Sequence, residues 1–143
     1  MTGRGIFAEA ISGNVEGLRF TNAPYATVDG FLTGRTGQKV VFEIKHRQFR
    51  SDRYFTVMLE VAKAQSLLIS KESNAQDKAI YVCIYDDEIQ MYEITEETLK
   101  RPSVNMRCPV HSAEFDGSTR MKEIIMLDPK EAIWTHRRPS TTS

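Results

Sequence analysis

The segment Lys39–His46 constrains the fold more than any other part of the chain. Successive side chains of a strand point to opposite faces. Val40, Phe42 and Ile44 therefore share one face, and Val41, Glu43 and Lys45 share the other. The first face is purely apolar and belongs in a core. The second sets an acid and a base side by side. The run Val40-Val41-Phe42 is β-branched and aromatic, which favours extended backbone. Before it, Gly34-Arg35-Thr36-Gly37 supplies a turn in which glycine can take up the backbone angles a hairpin needs. Tyr25 to Thr33 reads as the partner strand. A turn centred near Arg35 or Thr36 places Asp29 opposite Phe42 or Glu43.

The other elements are read around this hairpin. Residues 5 to 11 have helical spacing in Ile6, Phe7, Ala10 and Ile11. Leu18 to Phe20 is a brief strand. Arg53 to Ser70 reads as the longest helix, with apolar residues at Phe55, Met58, Leu59, Ala62, Leu67 and Ile69 and a cap from Ser51 or Asp52. Ala79 to Tyr85 is the most apolar short run and reads as a central strand. Ile89 to Ile94 pairs with it through the turn Asp86-Asp87-Glu88. Thr95 to Arg101 forms a helical turn. Ile124 to Leu127 is a strand, Pro129 to Trp134 a short closing helix, and the chain frays from His136 onward. The expectation is an α/β fold: a mixed sheet of four to five strands with a helix on each face. Residues 1–143 form a single domain, with a core at about 5–94 and an addition at 102–143.

A length of 143 residues leaves room for one core of ordinary size. No apolar stretch approaches membrane-spanning length, and the start of the chain lacks the apolar region of a secretory signal. Cys83 and Cys108 do not amount to a disulfide framework, so a cytoplasmic setting is expected. Net charge is zero, but the charges are segregated. Residues 33–71 hold eight basic side chains against three acidic ones, and residues 72–99 hold eight acidic against one basic. A neutral chain can thus still carry a phosphate-attracting face.

The hairpin carries the chemistry. Asp29 and Glu43 are cross-strand or diagonal neighbours, and two adjacent carboxylates repel unless one is protonated or a cation lies between them. Mg²⁺ binds through one or two carboxylates together with a substrate phosphate. Lys45, on the face of Glu43, stands where it can orient a water and stabilise charge developing on phosphorus.

Val28-Asp29, followed by Glu43-Ile44-Lys45 on the next strand, then a long helix and a buried strand, resembles the PD-(D/E)xK nuclease superfamily. That group includes restriction enzymes, Holliday junction resolvases and some homing endonucleases, with a core of helix, β-meander, helix and strand. The resemblance covers roughly the first two thirds of the chain. Val28 replaces the proline of the motif. By this resemblance the fold is restriction-endonuclease-like and the activity is Mg²⁺-dependent DNA cleavage, with Mn²⁺ as substitute. Asp29, Glu43 and the Ile44 carbonyl would be metal ligands, and Lys45 would position the attacking water. Glu9 would be the first-helix glutamate and Gln65 the helical glutamine that some members add. A nuclease of this kind must cut two strands, which implies a homodimer or higher homo-oligomer.

His46, Arg47, Arg50 and Arg53 follow the motif and are candidates for DNA phosphate contacts. Tyr25, Phe49, Tyr54 and Phe55 could stack on bases or serve as core and rim aromatics. Cys108 and His111 have a zinc-like spacing, but Cys83, His46 and His136 do not supply the second pair that a structural site requires. Two other readings stand beside the nuclease. One is a non-catalytic nucleic-acid-binding module of the same fold, and the other a protein-interaction domain using the acidic 72–99 face.

Overall fold

The computed structural model describes residues 2–23, 26–109 and 119–139. Helix α1 (Gly3–Ile11) opens where the Thr2 hydroxyl accepts the Gly5 N–H at 3.1 Å, satisfying one of the amides left unpaired at a helix start. Phe7 and Ile11, one turn apart, form its buried stripe. Strands β1 (Val15–Phe20), β2 (Gly30–Gly34) and β3 (Lys39–His46) follow as an antiparallel meander. Gly37 makes the turn into β3 with a φ of +87°, which is why glycine is required there.

Strand β4 (Val57–Glu60) runs straight into α2 (Val61–Ser73). Strand β5 (Lys78–Ile84) returns parallel to β3, and β6 (Glu88–Ile94) turns back antiparallel to it. The short α3 (Glu96–Leu99), β7 (Val104–Pro109), β8 (Thr119–Leu127), a 3-10 turn at Pro129–Glu131 and β9 (Trp134–Arg137) complete the described elements. Two sheets result: a mixed six-stranded sheet in the order β1-β2-β3-β5-β6-β9, and a three-stranded sheet in the order β4-β8-β7.

The α/β character, the mixed sheet and a helix on each face are as expected, but several elements differ. The main sheet has six strands rather than four to five, because β9 pairs with β6 through Ile89↔His136 and its neighbours. The expected frayed tail therefore begins with a paired strand. The expected closing helix at Pro129 is only a single 3-10 turn. The long helix does not begin at Arg53 but at Val61. Residues 57–60 form β4 instead, with Val57 and Leu59 buried and Met58 and Glu60 on the other face. Phe55, Met58, Leu59 and Ala62 have helical spacing, yet pairing with β8 decides the conformation.

Two apolar clusters flank the main sheet. On one side Phe7 and Ile11 of α1 pack against Val40, Phe42, Ile80, Val82, Ile84 and Ile89. Phe42 is fully buried, with its ring 4.9 Å from that of Phe7 and 5.8 Å from that of Phe20. On the other side Ala64, Leu67 and Leu68 of α2 cover Val41, Ala79, Tyr81 and Cys83, and Val57, Leu59, Ile125 and Leu127 of the small sheet join the same cluster. Among the described residues no helix is long and apolar enough to cross a membrane.

Candidate active site

The meander's register sets the carboxylates. Gly30 pairs with Phe42, so Asp29, one step earlier, stands opposite Glu43. The Asp29 N–H donates to the Phe42 carbonyl at 3.0 Å. Its carboxylate reaches over the strand, where Oδ2 accepts the Ile44 N–H at 2.7 Å. Gly30, next along β2, lets the strand lie close against β1 and the Phe42 ring. A Cβ there would lie 2.5 Å from the Arg19 carbonyl oxygen and 2.7 Å from the Phe42 ring. Upstream, Thr21 fixes the loop, with its N–H donating to the Asp29 carbonyl at 2.8 Å and its hydroxyl to the Val28 carbonyl at 2.7 Å.

Cations surround the pair. Arg4 of α1 donates from Nε at 3.3 Å and from Nη2 at 3.1 Å to Oδ1 of Asp29, while its Nη1 donates to the Thr21 carbonyl at 2.8 Å. Lys63, in the first turn of α2, places Nζ 3.3 Å from Oε1 of Glu43. Glu60, the residue before α2, pairs with Lys122 of β8 at 3.3 Å. Lys45 lies among Arg47, Glu60, Lys122 and Lys63.

Burial governs the proton affinities. The Glu43 side chain is only 13% exposed. Loss of water and the adjacent Asp29 carboxylate push its pKa up from 4.5 to about 7, against the opposing pull of Lys63. Burial likewise lowers the pKa of Lys45, and Arg47 adds to the effect while Glu60 opposes it. The arrangement is a glutamate that resists ionisation beside a lysine that holds its proton less firmly than usual.

The sequence-derived candidates separate into two groups. Asp29, Glu43 and Lys45 come together. Glu9 is exposed and lies five residues beyond Arg4, about 140° round the helix, so α1 turns an arginine rather than a glutamate toward the acid pair. Gln65 is exposed on α2, and the α2 side chain at the site is Lys63. His46 belongs to the Ile44 face, beside Gly3, and partial burial and Arg138 lower its pKa. Arg47 is half-buried and braces the interior, with Nη2 donating to the Met58 carbonyl at 3.0 Å and to the Tyr81 hydroxyl at 3.4 Å. Arg50 and Arg53 are exposed, and Arg50 pairs with Asp52 and Asp87. Tyr25 and His111 lie outside the described residues.

Arg4, Glu60, Lys63 and Lys122 are the residues sequence reasoning missed. Each sits on an element whose placement follows from tertiary packing, and only the basic excess of residues 33–71 hinted at Lys63. The acidic stretch gathers elsewhere: Glu72, Glu96 and Glu97 line an open cleft of about 470 Å³ between the end of α2 and α3. Cys83 and Cys108 are both buried and unpaired, and burial raises the Cys83 thiol to about 11.

No family model, curated protein or solved structure matches the chain.

Proposed function

We propose that this chain is a Mg²⁺-dependent endonuclease that hydrolyses DNA phosphodiester bonds at Asp29, Glu43 and Lys45. The observation that carries the reading is the register that sets Asp29 opposite Glu43, with a lysine next along the same strand face; burial and the neighbouring carboxylate raise the Glu43 pKa to about 7. Order of elements supports it as well. Helix, meander, helix and a further strand is what the resemblance to the PD-(D/E)xK nucleases leads one to expect, and α1, β1–β3, α2 and β5 follow that order with β4 inserted before the second helix.

The donor set fits a hard divalent cation. Among the described residues no three His, Cys, Asp or Glu side chains converge, but two carboxylates are an ordinary protein contribution to a Mg²⁺ site completed by water and substrate phosphate. Asp29 and Glu43 would hold the ion, which supplies positive charge to the phosphate and acidifies a water. Lys45 would hydrogen-bond to the attacking water or a phosphoryl oxygen. Lys63 and Arg4 keep the pair neutralised without substrate and add positive charge facing the phosphate. Hydrolysis forms a new P–O bond to water, breaks a P–O ester bond and protonates the departing oxygen.

The ion pairs also favour a second reading. With Arg4 on Asp29, Lys63 on Glu43 and Lys122 on Glu60, the same face could bind nucleic acid without metal. The deciding experiment incubates the native chain, Glu43→Ala and Lys45→Ala with plasmid, branched and single-stranded DNA in Mg²⁺, Mn²⁺ or EDTA. Metal-dependent cutting lost in both variants supports the enzyme. Binding without cutting under any metal supports the module.

A further inference from the structure

The segment between β3 and β4 presents aromatic side chains to solvent from a rigid base. Phe49 packs against the α2-side core, its ring 5.8 Å from that of Tyr85. The Tyr54 ring stands edge-on to Phe49 at 5.3 Å and 81°. The Arg53 guanidinium lies over Tyr54, 5.7 Å from its centroid. Rings thus run in a chain from the core to the surface, and Phe55 comes next in sequence with 97% of its surface exposed.

Pins hold this segment on both sides. The Asp87 carboxylate accepts from the Ser51 N–H and from the Ser51 hydroxyl, each at 2.7 Å. The Asp86 N–H donates to the Phe49 carbonyl at 3.0 Å, and the Arg53 N–H to the Arg50 carbonyl at 3.1 Å. At the far end the Thr56 hydroxyl meets Sδ of Met126 at 3.6 Å. Anchoring fixes where Tyr54 and Phe55 stand, so a partner bound there does not have to order the loop.

We infer that Arg53, Tyr54 and Phe55 form a stacking platform for unpaired bases of a nucleic acid strand. This rests on the proposed nuclease reading and narrows its substrate to DNA with single-stranded character. Aromatic faces with an adjacent guanidinium bind bases irrespective of sequence, while nearby cations follow the phosphates. The loop leaves the strand of Glu43 and Lys45 and re-enters at Glu60, five residues after Phe55. Chain length alone keeps Phe55 within about 18 Å of Glu60, so a strand stacked on the platform can reach the face where Lys63 pairs with Glu43 and Lys122 with Glu60, beside Lys45. A protein surface or a second copy of this chain would gain from Phe55 but less from the Arg53 guanidinium lying over Tyr54.

The test measures binding in EDTA, so that nothing is cut. Anisotropy of a labelled single-stranded oligonucleotide and of the matching blunt duplex is followed for the native chain, Phe55→Ala and Phe55→Trp. Loss of one stacked base weakens single-strand binding roughly 5- to 150-fold. Duplex binding stays within about twofold, since phosphate contacts carry it, and Phe55→Trp restores the single-strand affinity. Equal loss on both substrates, no loss on either, or no single-strand binding by the native chain overturns the platform. So does sedimentation showing a native dimer that Phe55→Ala turns into a monomer. Stacking without metal-dependent cutting would keep the platform and retire the nuclease, and cutting with a silent Phe55 would do the reverse.

Discussion

The two faces of β3 use burial in opposite ways. Toward α1, Val40 and Phe42 are enclosed by Phe7, Ile11, Ile80 and Val82, and each square ångström removed from water stabilises the fold. Toward α2, Val41 does the same, but Glu43 and Lys45 on that face lose water that their charges need. Alternate residues of one strand thus serve stability and hold charges at a cost. The difference teaches that Glu43 is carried by the rest of the structure and is not one of its supports.

Phe42→Ala should have the largest effect. It empties the space between Phe7 and Phe20 and should cost about 3–5 kcal/mol in urea unfolding. Glu43→Gln should act with the opposite sign. The Glu43 proton is held to about pH 7 in the fold and released near 4.5 in the unfolded chain. Between those values the folded state binds more protons, so native stability falls as pH rises through the window. The variant removes that fall. It should match the native chain near pH 4.5 and exceed it at pH 8 by up to about 3 kcal/mol, less whatever the lost pairing with Lys63 contributes. A variant no more stable at pH 8 would break the contrast between the faces.

Gly30→Ala tests the apolar side at its tightest point. The added methyl meets the Arg19 carbonyl and the Phe42 ring, and a cost of about 1–3 kcal/mol is expected from urea midpoints. Mg²⁺ at pH 8 should raise the melting temperature of the native chain by a few degrees and leave Glu43→Gln unmoved, since only the native pair gains from a cation. The smallest change is Ala75→Gly. Ala75 follows the end of α2 with a φ of 52°, a conformation that suits glycine, so stability should rise by about 0.5–1 kcal/mol whichever face has been altered.

Legibility in the sequence followed the range of the interactions. Asp29, Glu43 and Lys45 could be read because a hairpin fixes its own register over a few residues, and alternation then assigns the faces. Strand β5 was equally plain from its apolar run. Strand β4 was not, because its four residues follow a helical apolar spacing and take strand form only against β8. Strands β7 and β9 hide for a related reason: Asn105, Arg107, His136 and Arg137 give edge strands little apolar signal. The cations at the site went unread because α1, α2 and β8 bring them in from distant parts of the chain.

The pairing of β4 with β8 bears on the order of events during synthesis. Val57 meets Leu127, about seventy residues downstream, and contacts so far apart in the chain form late. A nascent chain can assemble the meander, α2 and β5 while β8 is still unmade, and at that stage Val57 and Leu59 have no partner strand. Glu60 also lacks Lys122 until then. The charge balance around the acid pair is therefore completed only once β8 has been made, which leaves the maturing chain most prone to misassociation on the side of Glu43 and Lys45.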